Sequence, residues 1–90
     1  MKIDADTITN RNAGSIVEVV AAAIRAGDCT IDFSGVRRCD TAAVACVIAW
    51  LRLSQAGGHR LALVATPRDL LSLAKLCGVE ALIASASQAN

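Results

Sequence analysis

Apolar positions change period several times along the 90 residues, and each change marks an element. Met1 to Ala5 alternates apolar and polar, the two-residue period of a half-covered strand, and reads as a short edge strand. Polar residues from Thr9 to Asn12 offer several helix caps. Beyond them Ile16, Val17, Val20, Ala21 and Ile24 recur at helical spacing as far as Ala26, and Gly27 stops the helix. Gly14 leaves the exact start open. Cys29 to Phe33 is a short β-branched and aromatic run, a buried strand, and Ser34-Gly35 after it is a turn signal. Asp40 precedes a long apolar run. Its carboxylate suits the free N–H groups of a helix start, so a helix is expected from Thr41 to about Ala56, ended by Gly57-Gly58.

Arg60 to Ala65 is the next predicted strand. A helix start follows, with Thr66 as N-cap, Pro67 in the first helical position and Asp69 completing a near capping box. Leu70, Leu73, Ala74 and Cys77 form its stripe, and Gly78 ends it. Val79 to Ile83 reads as a last short strand or turn, and Ala84 to Asn90 as a small, polar tail that frays. Strands alternating with helices imply a mostly parallel sheet with crossover helices. The expectation is one α/β domain over residues 1–90, with three or four strands, no repeat and no linker.

Composition narrows the function classes. More than half the residues are hydrophobic, yet Phe33 and Trp50 are the only aromatics, so Ala, Val, Leu and Ile build the interior. The formal charge is +1, and no basic stretch or aromatic set suits nucleic acid; Arg37-Arg38 is the nearest approach. No signal-peptide pattern is visible, and the apolar run Ala42 to Leu51 is far short of the roughly 20 residues that cross a bilayer. The expectation is a soluble, cytoplasmic chain with no direct membrane insertion. Cys29, Cys39, Cys46 and Cys77 form no CxxC pair and stand with one histidine, so no metal site is expected. Cys29, Cys46 and Cys77 read as buried small hydrophobes, and Cys39, in the turn before Asp40, as the most accessible thiol.

The candidate chemistry lies at Asp40-Thr41. The Thr41 hydroxyl stands at the positive end of a helix, where N–H groups await partners and a phosphoryl group or carboxylate is well received. At about 100° per residue, Ala42, Ala43, Cys46, Val47, Trp50, Leu51 and Leu53 form a wide buried arc. Thr41, Ala45, Ile48 and Arg52, with Gln55 at the edge, form the remaining stripe, apolar in the middle and polar at both ends. That composition suits a partner. A threonine nucleophile needs a base, and His59 lies more than about 20 Å away past the far end of the same helix. Gly57-Gly58 ends a helix and has no lysine in the phosphate-loop pattern. The chain is read as non-enzymatic, with no catalytic and no cofactor-binding residue.

Ile31-Asp32-Phe33-Ser34-Gly35-Val36, followed by Cys39-Asp40-Thr41-Ala42, resembles the signature of STAS domains, the anti-sigma-factor-antagonist-like family. There a strand ending in DLSGV leads through a turn to DS or DT at a helix start. Gly58 to Val64 and Pro67 to Leu76, with LAKLCGV from Leu73 to Val79, resemble the family's next strand and helix, so the resemblance runs over residues 29–83. It implies a single small STAS domain, a mostly parallel or mixed four-stranded sheet with helices packed on it. Threonine after Asp40, the short free-standing chain and the LAKL helix look most like the small STAS subunit of Mla-type phospholipid ABC transporters. The resemblance then implies a regulatory subunit at the inner membrane, bound to the transporter's ATPase through Thr41, Asp40, Ala45, Ile48 and Arg52, with Arg37 and Arg38 steering the encounter. The alternative it implies is an anti-sigma factor antagonist, switched when a partner kinase phosphorylates Thr41. Ala43 departs from the family pattern, where many members have glycine.

Overall fold

The computed structural model describes residues 1–87. Its elements are β1 (Thr7–Ile8), α1 (Ala13–Arg25), β2 (Thr30–Asp32), β3 (Arg38–Cys39), α2 (Thr41–Ala56), β4 (Ala62–Val64), α3 (Arg68–Leu76) and α4 (Glu80–Ala86). Three helix ends share one construction. Gly27, Gly58 and Gly78 adopt φ of +100°, +73° and +76°, which glycine takes without steric cost. The following N–H then reaches back into the last turn: Asp28 to the Ala23 carbonyl at 2.9 Å, His59 to Ser54 at 2.8 Å, Val79 to Ala74 at 2.9 Å. Each helix is therefore stopped where its glycine predicts.

The strands are parallel, as the alternation of elements implies, but shorter than the sequence runs. β1 pairs β3 and β2 pairs β4, forming two two-stranded sheets instead of one four-stranded sheet. Single bridges extend the pairing, Lys2 with Asp32 and Leu63 with Ser87. Residues 1–8 and 30–39 thus run side by side, but the register slips by one residue between the Lys2–Asp32 bridge and the Thr7–Arg38 pair. The slip falls at the predicted Ser34-Gly35 turn. There Asp32 Oδ1 accepts from Ser34 N at 2.8 Å, and Val36 N donates back to the Phe33 carbonyl at 2.8 Å. An extra residue on one strand breaks a ladder locally, and this one divides the sheet. The Ser34 N–H also holds the Asp32 carboxyl below its ordinary pKa.

One cluster of buried side chains fills the interior, with Ile3 and Ile8 from the N-terminal segment, Ile31 and Leu63 from β2 and β4, Phe33 just after β2, and Val20, Ile24, Val47, Trp50, Leu70 and Ile83 from the helices. Each such side chain contributes about 1.5–3 kcal/mol by leaving water. Trp50 sits where α1 and α2 pack together; its indole N–H donates to the Val17 carbonyl at 3.3 Å, and its ring lies 6.4 Å from that of Phe33.

Two expectations at the C-terminal end are corrected. Val79 to Ile83 is no strand: Glu80 opens helix α4, whose Ile83 and Ala86, one helical turn apart, both enter the core. Ala84 to Ala86 therefore belong to a helix, Ser87 bridges to Leu63, and residues 88–90 of the expected tail lie outside the described residues. Thr66 does not cap α3. Pro67 occupies the cap position in an extended conformation, one residue later than predicted, and the Thr66 hydroxyl instead meets that of Ser87 at 3.0 Å. Asp69 still lies in the first turn of α3, where its charge suits the positive helix end.

Candidate helix-end interface at Thr41

β1 and β3 position the site. Asp40 N donates to the Ile8 carbonyl at 3.0 Å, so the cap residue is hung directly from β1. Its backbone is extended (φ −108°, ψ −169°), and Oδ1 accepts from Ala42 N at 2.8 Å. The predicted cap is thus present, and the Asp40 carboxylate is committed to the helix start. Thr41 follows as the first residue of α2. It is exposed, and its hydroxyl has no hydrogen-bond partner among the described residues. An exposed neutral hydroxyl beside an occupied carboxylate can give or take one hydrogen bond with a partner.

Ala45 and Arg52 are exposed and Ile48 is half-buried, so the stripe with Thr41 lies on the open side of α2. The buried arc is displaced from the prediction. Ala43, Val44, Cys46, Val47, Trp50 and Ser54 are buried, whereas Ala42, Leu51 and Leu53 are only half-buried. Ser54 tolerates complete burial because its hydroxyl donates to the Leu51 carbonyl at 3.0 Å. Arg37 and Arg38 are both exposed. Arg38 is part of β3, and Arg37 N donates to the Asp6 carbonyl at 2.7 Å. Ala43, in the position of the family glycine, is 1 % exposed. Its methyl points into the core, away from any approaching partner.

Sequence reasoning missed the contribution of α1. Ala13, Gly14 and Val17 of α1, with Asn10 from the turn before it, face Ala42, Ala45 and Cys46 across a shallow groove of about 300 Å3 that reaches Ala42, the residue after Thr41. A β-carbon on Gly14 would meet nothing within 4 Å, so packing inside the domain does not require glycine there. The small residues at 13 and 14, opposite Ala42 and Ala45, were the available signal.

The cysteine assignments partly reverse. Cys39 is half-buried, and burial, then the nearby Asp69 and Asp40 charges, push its thiol pKa up to about 11. Cys46 is buried as expected, and burial followed by the Asp40 charge raises its thiol as well. Cys77 is the exposed thiol, because it caps the end of α3 beyond the last core residue, Ala74. α3 packs against β3 and α2, which brings Asp69 of its first turn near enough to act on the Cys39 thiol.

Among the described residues, no group of three or more His, Cys, Asp or Glu side chains is placed to hold a metal ion. None of the described helices is long and apolar enough to cross a membrane. In comparisons with known proteins, the family described as "Mlab, STAS domain" matches residues 5–84. No curated protein and no solved structure matches the chain. The match spans β1 through most of α4 and includes every residue of the Thr41 surface. The chain therefore belongs to the STAS domain family, whose members are generally binding and regulatory modules without enzymatic activity.

Proposed function

We propose that this protein is a non-enzymatic accessory subunit of a Mla-type phospholipid ABC transporter, docking onto the transporter's cytoplasmic ATPase through the Thr41 end of α2. The observation that carries the reading is the division of labour at the cap. Asp40 is tied into the fold, while the adjacent Thr41 hydroxyl is exposed and free. Ala45 and Ile48 supply the apolar centre of the contact and Arg52 its polar end, with the α1 side of the groove beside them. Arg37 and Arg38 attract acidic groups on the partner and speed the encounter. The protein does no chemistry in this role. It favours the assembled ATPase because it binds that state more tightly, and it stays peripheral to the inner membrane through the complex.

Co-purification with the ATPase tests this directly. Thr41→Ala should weaken the complex while leaving the domain folded; undiminished binding by the folded variant would refute the docking role of Thr41.

The same exposed hydroxyl supports a second reading, an anti-sigma factor antagonist switched by phosphorylation. A phosphoryl group adds about −1.5 to −2 charge, which the helix end accommodates and a surface built for a neutral hydroxyl rejects. Intact mass of the protein isolated from its cells, with its co-purifying partner, separates the two. Unmodified Thr41 with an ATPase supports the transporter, and phosphorylated Thr41 with a kinase supports the switch.

A further inference from the structure

At the end of α2 opposite Thr41, a small pocket of about 190 Å3 opens between the helix, the turn into β4 and α4. Among the described residues its titratable lining is one-sided: His59 and Arg60 are present and no carboxylate is. Gln55 adds an amide. The hydroxyls of Ser54 and Ser85 already donate to the Leu51 and Leu82 carbonyls at 3.0 and 2.9 Å, so donors for a ligand come from Arg60, His59 and Gln55.

Helix C-termini normally repel anions through their bare carbonyls. Here several of those carbonyls already accept hydrogen bonds. Gly58 N caps Gln55 at 3.0 Å, His59 N caps Ser54 at 2.8 Å, and Ser87 N caps Ile83 at 3.0 Å. Gly57 has its own place in the arrangement. Its φ of −87° suits any residue, but a β-carbon there would stand 3.1 Å from Cδ2 of His59. Glycine at 57 thus lets the imidazole fold against the helix end, beside Gln55 and Arg60. The volume selects a small ligand. A water takes about 30 Å3 of liquid, and drug-sized ligands need roughly 300 Å3 or more. A planar guanidinium with two further donors suits the several oxygens of a compact tetrahedral anion.

We propose that this pocket binds a phosphoryl group, free or on a small headgroup, through Arg60, His59 and Gln55. The site is about 20 Å along α2 from Thr41, so its occupation leaves the Thr41 surface open. It stands whether or not the Thr41 reading does.

Titrating inorganic phosphate into isotope-labelled protein at constant ionic strength, read by amide resonances, tests the proposal. Saturable shifts are expected at Gln55, His59 and Arg60 and not at Thr41. Arg60→Gln should weaken binding about tenfold, because an exposed charged donor is lost while the fold stays intact. A lack of saturation, equal affinity in Arg60→Gln, or the same shifts from acetate would each overturn it. Flotation with phosphatidylcholine vesicles, with and without phosphatidic acid, then distinguishes the sources. Capture that needs both phosphatidic acid and Arg60 assigns the site to a lipid headgroup. Saturable phosphate binding without capture assigns it to a free phosphate.

Discussion

Removing the Asp40 side chain separates what the helix start does for the fold from what it does for a partner. The carboxylate makes one local bond, to Ala42 N at 2.8 Å, and places a negative charge at the positive end of a 16-residue helix. Loss of such a cap costs typically about 1 kcal/mol, and loss of the charge about 0.3–1 kcal/mol more. Asp40→Ala should therefore destabilise by about 1–2 kcal/mol. For a domain of this length each kcal/mol lowers Tm by about 4–8 °C, giving a fall of about 4–16 °C. Asp40→Asn keeps an acceptor for Ala42 N and removes only the charge, so it should lie between Asp40→Ala and the parent. Thr41→Ala removes an exposed, unpartnered hydroxyl and should stay within about 0.5 kcal/mol. Thermal and urea melts of the four proteins, followed by helical circular dichroism, give the order. Parent-like stability in Asp40→Ala, or a larger loss in Thr41→Ala than in Asp40→Ala, would refute this assignment of roles.

The thiols should label in an order opposite to their closeness to Asp40: Cys77 reacts first with iodoacetamide near pH 8, while Cys39 and Cys46 resist, as peptide mass mapping will show. The raised Cys39 pKa also carries a sign. Between the ordinary value of 9.0 and about 11 the folded state keeps a proton that the unfolded chain has lost, so its contribution to stability is full below pH 9 and is lost as pH rises towards 11. Cys39→Ala should flatten that part of the alkaline stability curve. Ala65 holds a left-handed backbone at φ +56°, which costs an alanine about 1–2 kcal/mol. After the entropy that glycine adds to the unfolded chain, Ala65→Gly should gain up to about 1 kcal/mol in urea melts, and a clear loss would contradict the strain. Trp50→Ala empties the α1–α2 contact and should cost about 3–5 kcal/mol, a large part of the roughly 5–13 kcal/mol expected for 90 residues; chemical denaturation measures it.

The sequence by itself determined the features whose causes are local. Helical periodicity placed α1, α2 and α3, glycines marked their ends, and Asp40 declared itself a cap, because each depends on residues within a turn or two. The Thr41 stripe was legible for the same reason, since residues three and four apart share a helix face whatever surrounds them. The tertiary structure decided what distant segments do to one another. β1 and β3 are two residues each and exist only because residues 7–8 and 38–39 meet; no period can be read from so short a run. Ile83 and Ala86 made the last segment a helix by finding the core one turn apart, overriding a short β-like pattern. Thr66 lost its cap role to a backbone turn at Ala65 and a partner hydroxyl 21 residues away. Cys39 and Cys77 exchanged exposure because accessibility depends on the neighbouring elements, here the start of α3 beside β3 and the turn beyond Ala74. The α1 side of the Thr41 groove and the Arg60 pocket belong to the same class: each joins side chains from separate elements, and only packing brings such residues together.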